Sequence, residues 1–264
     1  MIDIRLSDNL ELMAEIKDNT VDLIYCDILY GTGRNFGDYQ DLKPIRSEIE
    51  NHYLPRLIEM KRVLKNTGSI YLQMDTRINH WMRCLMDDVL GYANFKNEIS
   101  WAYEKWSNIS NCFQKNHDVI ILYSFKKSTF NEIRELIENP RRRNLVEIIN
   151  GKKVSKRLNG KVVYKEQFDR PISDVWVDIP RIPNTGKKVV GYPTQKPKEL
   201  IERIILASTN EGDLVADFYA GSFTTAEVCQ DLNRKFIGCD ISERGFEIGI
   251  SRIKHIDKTN SGTT

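Results

Sequence analysis

The chain has 264 residues, of which 41% are hydrophobic and 29% are charged, and its formal net charge is +2 at pH 7. These values are typical of a globular protein with a substantial core, and the total charge does not indicate a polyanionic partner. The sequence shows no signal peptide and no apolar run near the ~20 residues of a membrane span, and its five cysteines form no CxxC pair. We therefore expect a cytoplasmic protein with reduced thiols and no membrane contact.

Alternating strands and helices are predicted for the first 125 residues. Two near-continuous apolar runs, 21–27 and 68–75, indicate strands that are buried on both faces of a sheet. The helical pattern 48–64 between them contains Pro55, which we expect to bend the helix or restart it. The remaining predicted elements of this part are strands at 2–5, 96–103 and 118–125, and helices at 8–16 and 77–90.

The last part of the chain repeats this alternation. Its predicted elements are a helix at 198–209, a strand at 213–219, a helix at 226–232, a strand at 235–240 and a helix at 243–256. Strands that alternate with helices predict an α/β fold with a mostly parallel sheet that helices flank on both faces. Residues 258–264 are expected to form a flexible tail.

The segment 126–191 differs from the rest because it has weak periodicity and many charges. Residues 126–170 contain thirteen basic and six acidic residues, an excess of +7 in a chain of net charge +2. A basic insert on a near-neutral scaffold predicts a module that contacts a polyanion, although a solvated surface loop is the alternative. We therefore predict three parts, 1–125, 126–191 and 192–257, followed by the tail.

Two glycine-containing turns follow buried strands. The first, YGTGRNFG, resembles a dinucleotide fingerprint, but its third glycine is Gly37 and no clear helix begins there. The second, AGSFTT, lies between a strand and a helix, and the next strand ends in Asp240. An acid at that strand end can accept hydrogen bonds from two ribose hydroxyls, so this turn predicts a nucleoside-type ligand.

The stretch DILY places a carboxylate and an aromatic ring three residues apart where a buried strand ends. Asp27 alone could cap the strand end, and Tyr30 alone could belong to the core. Together they could hold one nucleic-acid base, since the acid can accept hydrogen bonds from its edge while the ring stacks on its face. The four histidines show no metal-ligand spacing, so no metal is predicted.

With these motifs in order, the chain resembles the β-class amino-methyltransferases of DNA. That class carries a catalytic DPPY first, a target-recognition insert next and a cofactor loop FxGxG last, and here DILY precedes the basic insert and YAGSF follows it. The motifs DVWVDIP at 174–180 and YPTQKP at 192–197 strengthen the resemblance, because both are typical of this class. It implies a single Rossmann-like methyltransferase domain that uses S-adenosylmethionine to methylate double-stranded DNA.

The resemblance also implies roles for individual residues. The catalytic group would be Asp27, the backbone carbonyl of Ile28, and Tyr30. The residues expected to bind the cofactor are Asp8, Thr194, Gln195, Lys196, Asp217, Ala220, Gly221, Ser222 and Asp240. The residues of the basic insert expected to bind DNA are Arg141, Arg142, Arg143, Lys152 and Lys153.

The chain departs from the pattern of the class at four positions. Ile28 and Leu29 replace the two prolines of DPPY. Tyr219 replaces the phenylalanine at the start of FxGxG, and Phe223 replaces the second glycine of that motif. The carboxylate, the backbone carbonyl and the ring that the chemistry needs are all retained.

Three functions remain open from the sequence: methylation of adenine N6, methylation of cytosine N4, or a catalytically silent DNA-binding subunit. A homodimer and a cognate restriction endonuclease are the further partners that the resemblance suggests, and adenine N6 is the function that we expect.

Overall fold

A computed structural model describes residues 1–37, 39–105, 109–182 and 195–260, with side chains up to residue 253. The chain divides into two compact units. The first unit comprises Met1–Asn131 and Asp174–Thr264, and the second comprises Glu132–Ser173.

The described residues form six α-helices and fourteen strands. The helices are α1 (Asn9–Glu15), α2 (Arg46–Val63), α3 (Asn79–Met86), α4 (Lys198–Ser208), α5 (Thr224–Asp231) and α6 (Glu243–Asn260). The strands are β1 (Ile2–Leu6), β2 (Val21–Asp27), β3 (Leu64–Met74), β4 (Phe95–Ala102), β5 (His117–Ser124), β6 (Arg134–Asn144), β7 (Val146–Ile149), β8 (Lys152–Ser155), β9 (Arg157–Leu158), β10 (Lys161–Val162), β11 (Tyr164–Pro171), β12 (Val175–Trp176), β13 (Leu214–Asp217) and β14 (Lys235–Asp240).

The first unit is built on an eight-stranded sheet with the order β1-β14-β13-β2-β3-β5-β4-β12. Five of its seven neighbouring pairs are parallel, and β5 is antiparallel to both of its neighbours. Together with the flanking helices, this arrangement confirms the predicted Rossmann-like α/β fold. Strand β2 and residues 68–74 of β3 are almost wholly buried, as their apolar runs indicated, and β5 is almost wholly buried too.

Helix α2 continues through Pro55, so the predicted restart does not occur. The buried side chains Ile49, Tyr53, Leu57 and Met60 recur at helical spacing and hold this helix against the core. Pro55 is exposed, and so is residue 51, whose carbonyl lies one turn earlier. Water can therefore hydrogen-bond the carbonyl that Pro55 leaves without its helical donor.

The second unit, Glu132–Ser173, contains fewer residues than the predicted insert 126–191. It consists of the antiparallel pair β6 and β11, with the short hairpins β7–β8 and β9–β10 between these two strands in the sequence. The flanking residues belong to the first unit, because the Asn131 N–H donates to the Ala207 carbonyl at 2.7 Å and the Ser100 N–H donates to the Asp174 carbonyl at 2.8 Å. The sequence analysis did not predict these strands, because β6 and β7 are exposed along most of their length and have no alternation of apolar and polar residues.

The C-terminal helix α6 extends to Asn260, so residues 258–260 of the predicted tail are helical. Residues 261–264, like 183–191 of the predicted insert, lie outside the described residues. Within the described part of the chain, no helix is both long and apolar enough to cross a membrane.

Candidate functional site

A cavity of about 340 Å³ lies at the carboxyl edge of the parallel strands β1, β2, β13 and β14. Its lining includes Asp27, Asp217 and Asp240, which are the last residues of three of these strands. Ser7 and Asp8 follow the fourth strand and line the same cavity. Neighbouring parallel strands end at one edge of a sheet, which is why residues distant in sequence meet here.

The cofactor turn (217–223) is held by hydrogen bonds from its own backbone. The Gly221 N–H donates to Asp240 Oδ2 at 2.7 Å, and the Tyr219 N–H donates to Asp217 Oδ1 at 3.1 Å. Gly221 has φ of 53°, a left-handed conformation that glycine adopts without strain. Burial raises the pKa of Asp217 to about 7, although the Thr225 hydroxyl donates to it at 2.6 Å. This turn therefore brings two carboxyl groups close to the ligand space.

Phe223 has a backbone conformation that glycine adopts more readily than other residues. Its φ of 56° and ψ of 33° lie in the left-handed region, and its side chain is fully buried. The ring packs over Gly249 of α6, where an added Cβ would lie 2.6 Å from the ring. Phe246 meets the same ring edge-on, with 6.3 Å between the centroids. Gly249 thus makes room for the side chain that the cofactor turn has gained.

Helix α2 supplies two polar residues that the sequence prediction missed, His52 and Arg56. Both line the cavity, and they lie four residues apart on one face of the helix. Arg56 pairs with Asp8 at 3.2 Å, and the other oxygen of Asp8 accepts from the Leu10 N–H at 2.8 Å to cap α1. His52 lies 3.1 Å from the Tyr219 hydroxyl, and burial lowers the His52 pKa to about 4, so it is neutral at pH 7.

The cavity suits a nucleoside-type cofactor. Its volume of about 340 Å³ falls in the range of small-molecule sites. Asn9 Oδ1 and Arg56 Nε are buried and have no hydrogen-bond partner among the residues that the structure describes, so both can serve a ligand. Asp240 stands at the end of β14 beside the glycine turn, where a ribose acid is expected.

The catalytic turn (27–30) presents a half-buried carboxylate, Asp27, with two polar neighbours. The Tyr30 hydroxyl lies 3.0 Å from Asp27 Oδ1, and the Lys196 ammonium forms an ion pair with Asp27 Oδ2. Burial raises the pKa of Asp27, while the charge of Lys196 opposes that shift. The Lys196 ammonium also lies 5.0 Å from the centre of the Tyr30 ring.

Ile28 replaces the first proline of the catalytic turn, and both its N–H group and its side chain have partners in the fold. The Ile28 N–H donates to the Gln73 carbonyl at 3.0 Å, which extends the pairing of β2 with β3. The Ile28 side chain is buried in the core. Neither the Leu29 N–H nor the Ile28 carbonyl has a hydrogen-bond partner in the described part of the chain. The Ile28 carbonyl is therefore available as a second acceptor beside Asp27.

The structure brings most of the predicted cofactor residues together. All except one line the cavity, namely Asp8, Gln195, Lys196, Asp217, Ala220, Gly221, Ser222 and Asp240, and the exception, Thr194, lies outside the described residues. Lys196 also contacts the catalytic turn, because its ammonium hydrogen-bonds Asp27. The predicted DNA-binding residues belong to the second unit and are exposed: Arg141, Arg142, Arg143, Lys152 and Lys153.

Comparisons with known proteins agree with this architecture. The sequence profile of the N6/N4 DNA methylase family matches residues 21–251. The chain is 30% identical to the type II methyltransferase M.HpaI of Haemophilus parainfluenzae over 94% of this chain and 72% of that protein. It is 31% identical to the DNA adenine methyltransferase YhdJ of Escherichia coli K12 over 93% of this chain and 80% of that protein.

Two solved structures share the fold. The complex of M1.HpyAVI with SAM matches with a TM-score of 0.63 at 20% identity, covering 96% of this chain and 99% of that one. The cytosine-N4-specific PvuII DNA methyltransferase matches with a TM-score of 0.67 at 15% identity, covering 95% of this chain and 86% of that one.

Proposed function

We propose that this chain, which belongs to the N6/N4 DNA methylase family, methylates the N6 amino group of adenine in double-stranded DNA. The family assignment makes it a β-class DNA amino-methyltransferase with S-adenosylmethionine as its cofactor. The choice of adenine is the proposal. It rests on the Asp27 carboxylate beside Tyr30 in the cofactor cavity, since cytosine N4 enzymes more often carry serine at that position.

Asp27 and Ile28 supply what a weak nucleophile needs. The lone pair of an adenine amino group is delocalised into the ring, so the nitrogen attacks poorly. The Asp27 carboxylate and the Ile28 carbonyl are two acceptors for its two N–H groups, and they favour the tetrahedral geometry of the transition state. When bound, S-adenosylmethionine supplies a methyl group from its sulfonium centre, and the sulfur keeps the electron pair of the broken bond. Asp27 Oδ1 can then accept the proton that the methylated nitrogen releases.

Tyr30 and the basic unit complete the assignment. The Tyr30 ring would stack on a base that has left the duplex, a contact worth about 1–3 kcal/mol. The exposed residues Arg141, Arg142 and Arg143 would bind DNA phosphates, and so would Lys152 and Lys153 of the same unit. The catalytic turn comes from 1–125 and the cofactor turn from 192–257. The DNA contacts come from 126–191, in which Glu132–Ser173 forms a unit of its own.

Nucleoside analysis of methylated DNA tests the proposal. The purified chain is incubated with unmethylated double-stranded DNA and cofactor, and the digested nucleosides are identified by mass spectrometry. We expect N6-methyladenine from the wild type and none from Asp27→Ala. If only N4-methylcytosine formed, the second candidate would replace the first. Cofactor binding without any methylated base would assign the silent-subunit role.

Two partners of the chain are part of the proposal. Type II methyltransferases are named among the relatives, so a cognate restriction endonuclease is the expected companion. A homodimer is the expected assembly, and light scattering with and without DNA measures it directly.

A further inference from the structure

A buried carboxylate, Asp118, contacts the catalytic turn. It lies at the start of β5 and is only 3% exposed. Three donors surround it: the Tyr30 hydroxyl at 2.6 Å, Gln73 Nε2 at 3.0 Å and the Tyr103 hydroxyl at 2.9 Å. No lysine or arginine forms an ion pair with Asp118 among the described residues. Hydrogen bonds alone therefore hold this carboxylate in place.

The donors around Asp118 have a fixed direction. The Tyr25 hydroxyl donates to Gln73 Oε1 at 2.8 Å, which turns the amide nitrogen of Gln73 towards Asp118. The Tyr30 hydroxyl likewise donates to Asp118 Oδ2.

The same phenolic proton has a competing acceptor. Tyr30 has one proton to donate, and its oxygen lies 2.6 Å from Asp118 Oδ2 and 3.0 Å from Asp27 Oδ1. A hydroxyl makes one strong hydrogen bond at a time, and the shorter contact is the stronger one. Lys196 already donates to the other oxygen of Asp27. If Tyr30 donated to Asp27 Oδ1, the amino group of the target base would have to share that oxygen with the phenol, because no oxygen of the catalytic carboxylate would be without a donor.

We propose that Asp118 is a positioning residue for methyl transfer: it holds the phenolic proton of Tyr30 and so leaves Asp27 Oδ1 open to the amino group of the target base. This inference rests on the proposed function. Asp118 acts through Tyr30 and does not touch the base in this role. Anchoring the hydroxyl also fixes the orientation of the ring on which the base stacks.

A double-mutant cycle separates this role from support of the fold. In Asp118→Ala the Tyr30 hydroxyl turns to Asp27, and we expect the rate of single-turnover methyl transfer to fall about tenfold to a hundredfold. This fall is smaller than the fall of about 10²–10³ that removal of a preorganised group causes, because Asp118 acts indirectly. Tyr30→Phe removes the competing hydroxyl and should slow the rate about two- to tenfold, as for one neutral hydrogen bond. The double variant should be no slower than Tyr30→Phe within about threefold, because the competitor is gone.

Conservative and remote variants sharpen the cycle. Asp118→Asn can still offer an oxygen to Tyr30 and Gln73, so it should slow the rate less than Asp118→Ala. The matched control is the Asp87–Tyr123 pair, in which the Tyr123 hydroxyl donates to Asp87 at 2.5 Å away from the cavity lining. Asp87→Ala and Tyr123→Phe should leave the rate near the wild-type value. Calorimetry with S-adenosylmethionine checks that every variant binds the cofactor.

The outcomes decide between the two proposals. If the rate of the double variant falls by the product of the two factors measured for the single variants, Asp118 only supports the fold and the inference is wrong. Should Asp118→Ala fail to bind the cofactor, the cycle with Asp118→Asn decides by the same criterion, because its neutral oxygen is a weaker acceptor. A wild type that binds the cofactor but transfers no methyl group would instead overturn the proposed function itself.

Discussion

The catalytic turn and the cofactor turn both depart from the pattern of their class, but they accommodate the change differently. In the catalytic turn the accommodation is a backbone hydrogen bond, since the Ile28 N–H donates to the Gln73 carbonyl in the neighbouring strand. In the cofactor turn Phe223 has a left-handed backbone, and the accommodation is the space that Gly249 of α6 leaves for its ring. A functional backbone shape can therefore survive a change of residue type when a neighbour supplies the missing hydrogen bond or the missing space.

The largest expected effect separates the two turns by function. Asp27→Ala should slow methyl transfer by at least the order of 10²–10³, because it removes a preorganised acceptor for the amino group. Cofactor affinity should stay nearly constant, since most of the predicted cofactor contacts lie elsewhere in the cavity. Tritiated methyl incorporation and calorimetry measure the two quantities. A variant that kept more than about a tenth of the wild-type rate would reduce Asp27 to a strand-end cap.

The reverse separation is expected for the cofactor turn. Asp240→Asn should weaken cofactor binding, because charge-assisted hydrogen bonds to the ribose are worth about 1.5–3 kcal/mol each. Asparagine keeps the size of the side chain, and its one oxygen can accept from one of the two N–H groups, Gly221 or Ser242, that donate to Asp240. At saturating cofactor the rate should recover towards the wild-type value. Unchanged affinity in a calorimetric titration would remove Asp240 from the cofactor site.

The two turns also differ in how they hold a buried acid. Lys196 pairs with Asp27 and opposes the rise that burial causes in the Asp27 pKa, whereas burial raises the pKa of Asp217 from 3.8 to about 7 although Thr225 donates to it. A carboxyl whose folded pKa exceeds its unfolded pKa binds more protons when folded between those values. Its contribution therefore makes the wild type less stable as the pH rises from about 4 to about 7.

Asp217→Asn should remove that part of the pH dependence, because the amide does not titrate. Urea unfolding of both proteins at pH 5 and pH 8 measures it, and the stability of the variant relative to the wild type should be higher at pH 8. An equal difference at the two pH values would contradict the prediction.

The space at Gly249 can be tested directly. Gly249→Ala should destabilise the protein by about 1–3 kcal/mol, because the added methyl group would overlap the Phe223 ring. Phe223→Gly in the same chain should recover much of that loss, while Phe223→Gly alone leaves an unfilled core position. Thermal unfolding of the four proteins gives the coupling. Additive costs would show that the two residues do not share the space.

The smallest expected effect concerns the lost prolines. Leu29→Pro should change the free energy of unfolding by less than about 1 kcal/mol, because no described residue accepts from the Leu29 N–H. Ile28→Pro should cost considerably more, since the Ile28 N–H pairs with Gln73, and Ile28→Ala measures the loss of the side chain alone. If Leu29→Pro were as costly as Ile28→Pro, the local accommodation described for the catalytic turn would be wrong.

The sequence by itself determined the order of the elements in the first unit, the α/β class and the family. Strands such as 21–27 could be predicted because burial on both faces requires a continuous apolar run. Asp27, Tyr30 and Asp240 could be predicted because they follow or end such runs. The strands of the second unit could not be predicted, because β6, for example, is exposed along most of its length.

Only the tertiary structure decided which distant residues meet. Asp118 contacts Tyr30 across 88 positions, and Lys196 contacts Asp27 across 169. Because β5 runs antiparallel to β3, its first residues lie at the edge where β2 ends, and Lys196 reaches the same edge from the segment that precedes α4. The spacing of such pairs in the sequence carries no periodic signal, so the fold alone reveals them.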